Sequence, residues 1–490
     1  MSMDETMPRR EEKKVKHSSA AWLGAANSMT GLLAAFAEGT AVTVFYQNVM
    51  KLDASFIAVA WILFGIWNAI NDPIYGWLAD RGHHKLGRRI PWIRYGAPIM
   101  ALCYAISWIP INSLAGNNWF LFFQMIIALF LFDTVYTAIA SAIYVMPYEM
   151  AVTNKARSPI FLWNIGFSVI SYGVPMVANG MLTTLMEENI SVFPFIMAGL
   201  GLVAGGIVFA STFFYKENGY VKEEKQPKMW EGIKQCVKNK SFLLFEVISF
   251  TVIYAMAVLM DGLNPCWEAW SGAEGWLGGS SQIVCLGALG VGLIGSLILF
   301  VFKNGKWGAR NCTLIMCGAM GVGCIVGSFL GKYMIVLAIS FFLIGVGLSG
   351  GLYLIPMING DVIDKDELDN GARREGVYAG VNSLITKPAS AIAHAVFTAM
   401  NAAYGFSADI TKETETGAKV VDYAAQPDSF KNGLFVSWML IVGVLCLLSF
   451  VAMWFFPLHG KEWDEAKAKL AIEHAKKEEE YAQKVLAAQE

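Results

Sequence analysis

The chain has 490 residues, of which 56% are hydrophobic and only 16% charged, with a mean hydropathy of +0.48. Soluble domains carry roughly 25% charged residues, so this composition excludes an ordinary soluble enzyme and describes an all-α, polytopic membrane protein. No nucleic-acid partner is expected; the formal net charge of −2 does not itself bear on one, and the placement of the charges carries more. The eight cysteines, among them Cys103, Cys312, Cys317, Cys324 and Cys446, lie mostly in apolar runs and show neither metal-ligand spacing nor a disulfide framework. The N-terminal tail, 1–19, is polar and basic and has no apolar core of its own, so it does not read as a signal peptide.

Twelve apolar segments follow, each near the ~20 residues that a bilayer core requires. They run over 20–46, 55–79, 91–113, 118–146, 159–185, 191–215, 241–262, 280–303, 311–330, 332–356, 377–404 and 432–456. Backbone groups in lipid must be satisfied internally, so each is expected to be a helix. Thirty-one of the 37 Lys and Arg residues fall in the two tails and the even-numbered loops, with Arg94 and Lys303 counted at the segment ends that border those loops. The other side holds Lys51, Lys332, Lys412, Lys419 and Lys431. This bias places both termini in the cytoplasm, and the cell membrane is the expected location. The remaining cation, Lys387, lies inside segment 11.

The 216–240 linker divides the chain into two bundles of six helices, 20–215 and 241–456, with a charged, helix-prone tail over 457–490. That tail reads most simply as a solvated helix. An internal repeat supports the division. Lys85-Leu86-Gly87-Arg88-Arg89 follows segment 2 and Lys306-Trp307-Gly308-Ala309-Arg310 follows segment 8. Asn154-Lys155-Ala156-Arg157 and Asn370-Gly371-Ala372-Arg373 stand at nearly the same offset after segments 4 and 10. Paired pseudo-symmetric bundles around a midplane site are a transporter architecture.

Segment 1 carries Glu38. Segment 2 carries Asn68, Asn71 and Asp72 at i, i+3 and i+4, which a helix stacks on one face. Pro73 follows and frees the carbonyl of Ala69. A carboxylate, two amides and a carbonyl on one face suit a hard cation; the plainer alternative is a kinked helix whose polar face bonds its neighbours. Segment 4 holds Asp133 and Thr137 one turn apart, then Tyr144; segment 5 holds Trp163 and Asn164; segment 10 holds Tyr353; segment 11 holds Asn382, Lys387 and His394. A charge inside the bilayer costs ~2.5–3.5 kcal/mol or more, so Lys387 is expected to meet a carboxylate, with Asp72, Asp133 and Glu38 the candidates. His394 reads first as a satisfied core histidine. Trp92, Trp119 and Trp438 read as interface-belt aromatics.

The stretches IWNAINDPIYGWLADR, KLGRRIPWI and GDVIDKDEL…RREG…NSLITKPASA resemble the glycoside–pentoside–hexuronide:cation symporters, the melibiose-permease-like branch of the major facilitator superfamily. The resemblance implies twelve transmembrane helices in the major facilitator fold and symport of a sugar or glycoside with a monovalent cation, Na⁺ or H⁺. It puts the cation site on Asn68, Asn71, Asp72 and Thr137, and a coupling lysine at Lys387 with Asn382 as its polar neighbour. The family often has a second acid where this chain has Asn68. Its segment 1 and segment 4 sugar acids fall on Leu32 and Ala140, so melibiose-type recognition does not carry over. Glu38, Asp133, Tyr144, Trp163, Asn164, Tyr353 and Asn382 are then the candidate solute-facing residues. Asp80, Arg81, Arg88, Asp361, Asp364, Arg373 and Arg374 are expected to form a cytoplasmic gate. A lysolipid or other amphipathic solute on the same scaffold is the nearest alternative, and a non-transporting receptor the one from another class. No HExxH, GxSxG or P-loop pattern points to an enzyme.

Overall fold

The computed structural model describes residues 15–81, 84–111, 117–188, 190–217, 229–278, 280–371, 373–413 and 419–487. Residues 1–14 of the expected N-terminal tail and 218–228 of the expected linker lie outside them.

Each of the twelve apolar segments holds helix among its described residues. The first is α1 (His17–Ala37), which stops at Glu38 and Gly39 and resumes as a short α2 (Thr40–Val44) and a π-helical turn, Phe45–Val49. Then come α3 (Ala54–Asp80), α4 (Ile90–Ser107), α5 (Asn118–Met150), α6 (Asn154–Glu188) and α7 (Phe193–Ser211). A short α8 (Met229–Lys238) precedes α9 (Lys240–Trp270), α10 (Ser280–Leu330), α11 (Met334–Asn370), α12 (Glu375–Ala403), α13 (Asp428–Trp454) and the tail helix α14 (Gly460–Ala487). One hairpin, β1 (Thr411–Glu413) with β2 (Lys419–Val421), joins α12 to α13, with Thr411 opposite Val421. Among the described residues eight helices are long and apolar enough to cross a membrane. One of these, α10, holds segments 8 and 9, because its helical geometry breaks at Gly308 (φ +77°). Gly87, its counterpart in the repeat, also has positive φ (+125°). The repeated glycine thus marks a turn that other residues adopt only with strain.

The described residues form two units. The first is built from α1 to α7 together with Ile363–Leu384 and the tail from Asp464; the second spans Val237–Val362 and Ile385–Trp463. In the first, α1 lies along α6, with Gly24 against Phe167 and the Trp163 backbone, and the Ser28 hydroxyl donates to the Phe167 carbonyl at 2.7 Å. Phe45, Tyr104, Trp108 and Phe193 fill the core of this unit edge-to-face. The core of the second unit is built on Trp267, Phe341 and Trp438. Trp438 is fully buried and donates its indole N–H to the Leu259 carbonyl at 3.1 Å, so it is a core residue and not an interface anchor. Gly262 makes room for it, since a Cβ there would overlap the indole. Trp119, 65% exposed, keeps the character expected of a belt residue.

Within the first unit, Gly76 of α3 meets Gly376 in the first turn of α12, and a Cβ on either would overlap the carbonyl oxygen of the other. At Gly76 the obstacle is the Gly376 backbone alone, which cannot give way as a side chain could. Gly76→Ala is expected to destabilise the protein by ~1–3 kcal/mol or more through overpacking. Gly65→Ala on the same helix, where a Cβ meets nothing within 4 Å, should stay within ~0.5 kcal/mol of wild type. Melting temperatures of the two detergent-solubilised variants check the contrast.

The tail departs from its expected solvated state. Lys467, Leu470 and His474, spaced to share one face of α14, are buried in the first unit. Lys467 donates to Asn154 at 3.1 Å and His474 pairs with Glu367 at 2.7 Å. Composition reports a charged helix; it does not report that partners for those charges sit on α6 and α11.

Candidate functional site

The polar face predicted for α3 turns inward while its apolar residues face out: Ile66, Ile70 and Ile74 are exposed, and Asn71 and Asp72 are buried. The helix runs on through Pro73. Facing it on α5, Asp133 is fully buried and Thr137 nearly so. Asn71 Nδ2 donates to Asp133 Oδ2 and, at 3.3 Å, to Thr137 Oγ1; the Thr137 hydroxyl donates to Asp133 Oδ1 at 3.2 Å. Asn71, Asp133 and Thr137 therefore form one hydrogen-bonded cluster between α3 and α5. Asp72 is the next residue to Asn71, and Asn68 is half-buried one turn earlier. Every donor here is oxygen of a carboxylate, amide or hydroxyl, a set that accepts a hard cation or a proton.

The other expected site residues are more dispersed. Glu38 sits at the C-cap of α1, at the helix break. Tyr144 is partly exposed, edge-on to Tyr148 at 6.1 Å. Trp163 stacks on Phe167 at 5.7 Å, and its neighbour Asn164 has a buried amide oxygen with no hydrogen-bond partner among the described residues. Asn382 belongs to the first unit and is buried; Tyr353, also buried, and Lys387 belong to the second. His394 is not a core histidine. It is 54% exposed and its Nδ1 bonds Asp261 of α9, an acid that the sequence reading passed over.

Five of the expected gate residues, Asp80, Arg88, Asp364, Arg373 and Arg374, lie in the first unit within a larger buried ion-pair network. Arg89 pairs with Asp80 and with Glu149 (3.0 Å), and Arg88 with Glu149 (3.2 Å) and Glu375 (3.7 Å). Asp80 also accepts the Gly376 and Val377 N–H groups at 3.2 and 3.1 Å and so caps α12. Arg157 makes a two-pronged pair with Asp364, 2.9 Å on each prong, both side chains fully buried. Arg373 reaches Glu367 at 2.6 Å, Glu375, and the Tyr148 carbonyl at 2.8 Å; Arg374 pairs with Asp366 at 2.6 Å. Arg81 lies outside the network, exposed and stacked 4.3 Å over Trp77, while Asp361 is buried in the second unit. The sequence reading did not name Arg89, Glu149, Arg157, Asp366, Glu367 or Glu375 as gate residues. Arg89 and Arg157 stand in the repeated basic motifs, which was the available signal.

Glu217, following α7, caps the N-terminus of α4. It accepts the N–H groups of Arg88, Arg89 and Ile90 at 2.6, 2.7 and 2.6 Å. Burial, and then the nearby Glu149 carboxylate, push its pKa up to about 7 against the pull of those amides. Glu375 behaves oppositely: burial would raise it, but Arg373, Arg88 and Arg89 hold it at about 2. Because Glu217 binds its proton more tightly in the folded chain, its contribution to stability is full below the ordinary 4.5 and is lost as pH rises through about 7. Glu217→Gln should therefore flatten the fall in melting temperature across that window relative to wild type. Parallel pH profiles of the two proteins would instead show that Glu217 does not titrate there.

A protein family described as "MFS/sugar transport protein" matches residues 24–460. The glucuronide carrier protein homolog of Escherichia coli is 22% identical, over 88% of this chain and 91% of its own. The sodium-dependent lysophosphatidylcholine symporter 1 of Gallus gallus is 22% identical, over 50% of this chain and 54% of its own. In fold, the chain is similar to a bacterial homologue of the iron transporter ferroportin in its outward-facing state, with a TM-score of 0.59, 14% identity, and coverage of 90% of this chain and 99% of that one.

Proposed function

The chain belongs to the MFS/sugar transport protein family, and on that premise we propose that it is a cation-coupled symporter of a sugar or glycoside. By family it is a multi-pass membrane transporter and not an enzyme, and its cargo is a small solute. The observation that carries the finer reading is the buried Asp72, beside Asn71 on the face of α3 that meets Thr137 through the Asn71 amide. Intramembrane acids are costly and are retained where an ion or proton pathway uses them. In this reading Asn68, Asn71, Asp72 and Thr137 receive Na⁺ or H⁺, and Lys387 of α12 relays that event to the solute. Glu38, Tyr144, Trp163, Asn164, Tyr353 and Asn382 form the solute-facing set.

The Lys and Arg bias supports cytoplasmic termini, which puts the ion-pair network of Asp80, Arg88, Asp364, Arg373 and Arg374 at the cytoplasmic end. There it serves as a gate whose pairs must part for the solute to be released. Vesicle uptake of a panel of labelled sugars and glycosides, under imposed Na⁺ and H⁺ gradients, tests the reading. One member is expected to accumulate with one of the gradients. Failure of every member under both gradients would contradict it and favour a receptor.

The similarity to a lysophosphatidylcholine symporter supports a second reading, an amphipathic solute. A wholly apolar groove of about 370 Å³ in the second unit, lined by Leu277, Val284, Met334 and Phe342 among others, is consistent with an acyl chain. Inhibition of glycoside uptake by lysophosphatidylcholine, or its own uptake in the same vesicles, separates the two.

A further inference from the structure

We infer that Asp133 is itself a ligand of the coupling cation and that, with Asn71 and Thr137, it forms an all-oxygen subsite for Na⁺. The inference rests on the cation-coupled reading and assigns a residue that the family pattern leaves out.

An acid on α5 could instead grip a solute hydroxyl, but Asp133 is badly placed for that. It is fully buried, and both its oxygens are engaged, Oδ2 by the Asn71 amide and Oδ1 by the Thr137 hydroxyl. A solute would have to break both bonds to reach it. A cation would instead use the remaining lone pairs of the same oxygens, since a carboxylate or hydroxyl oxygen has more than one acceptor site. The independent sign of a ligand is Asn71 Oδ1. This oxygen is buried, on a residue only 1% exposed, and has no hydrogen-bond partner among the described residues. The Asn71 N–H groups point to a carboxylate and a hydroxyl, so the amide orientation is the one its neighbours require, and its oxygen remains as a free acceptor. A buried acceptor with no donor is costly, and a hard cation is the partner such an oxygen takes. Asp72, one residue on, is a buried carboxylate on the same helix.

The test uses the purified full-length chain and Na⁺ alone, with choline replacing it at constant ionic strength and melting temperature as the readout. Wild type is expected to be stabilised by Na⁺. Asp133→Asn should raise the half-maximal Na⁺ concentration by ~10–100-fold, the range seen when support for a metal site is removed, and Thr137→Val should raise it in the same direction. An unchanged Na⁺ response in Asp133→Asn would overturn the assignment. Should that variant not purify, an unchanged response in Asp133→Glu, which keeps the charge but shifts the oxygens, would overturn it equally. A wild type that ignores Na⁺, yet takes up solute with a proton gradient, would overturn the Na⁺ subsite and leave the symport reading standing.

Discussion

Asp72→Asn is expected to reach the membrane, exchange its solute across it, and lose all gradient-driven accumulation. The substitution preserves the shape of the side chain and removes only the charge. Since the carboxylate is buried on the inner face of α3, the neutral amide is easier to place in the membrane than the acid it replaces, and folding should not suffer. What disappears is the differential affinity through which cation and solute assist each other. Such couplings are worth ~1–3 kcal/mol, or ~5–150-fold in affinity. The solute affinity of the variant should therefore no longer respond to the cation, while equilibrium exchange between solute pools continues. Lys387→Ala should damage net translocation and exchange together, because the lysine relays the event and does not hold the ion. Unaltered gradient-driven uptake by Asp72→Asn would remove the carboxylate from the coupling mechanism. Counterflow and concentrative uptake, measured on the same vesicles, separate these outcomes.

Arg157→Ala carries the second large effect. The guanidinium is fully buried and also donates through Nε to the Ala151 carbonyl at 2.7 Å, which fixes the start of α6 against the end of α5. Removing one partner of a buried pair typically costs ~3–5 kcal/mol, since the other charge is left without water or counter-ion. Asp364 would retain Arg373 at 3.9 Å and Lys467 at 3.8 Å, so a loss near the lower end, ~3 kcal/mol, is expected. Arg157→Lys keeps the charge but not the two parallel bonds, and should fall between. If the network is the cytoplasmic gate, Arg157→Ala should also depress concentrative uptake beyond what its lower abundance explains. Melting curves with expression-normalised uptake check both parts, and a variant as stable as wild type would deny the network its structural weight.

The helices were legible because lipid imposes a simple rule, and twelve apolar runs of sufficient length became helices. The Asn71–Asp72 face was legible for the same reason: helical spacing puts those residues on one side, and apolar surroundings make them conspicuous. What the one-dimensional pattern could not convey was partnership between distant segments. Asp133 and Thr137 were visible as a pair one turn apart, but nothing local tied them to Asn71, 62 positions away from Asp133. Trp438 looked like a belt residue because its flanks are interfacial, yet the missing side chain at Gly262 draws it into the core. His394 reads as core from its own apolar segment, because its partner Asp261 lies on another helix. The buried arginines were counted as topology signals. Their burial follows from acids at the ends of α5, α11 and α12, and a count of positive charge per loop does not register those acids.

Coupling itself is tested most directly by running the transporter backwards. Proteoliposomes preloaded with the glycoside identified by the uptake panel, and diluted into solute-free buffer of the same Na⁺ and pH, impose a solute gradient and no ion gradient. Efflux of solute is predicted to carry Na⁺ or H⁺ outward with it, seen as a fall in internal Na⁺ or a rise in internal pH that Asp72→Asn abolishes. Solute efflux at the wild-type rate with neither ion moving would contradict symport.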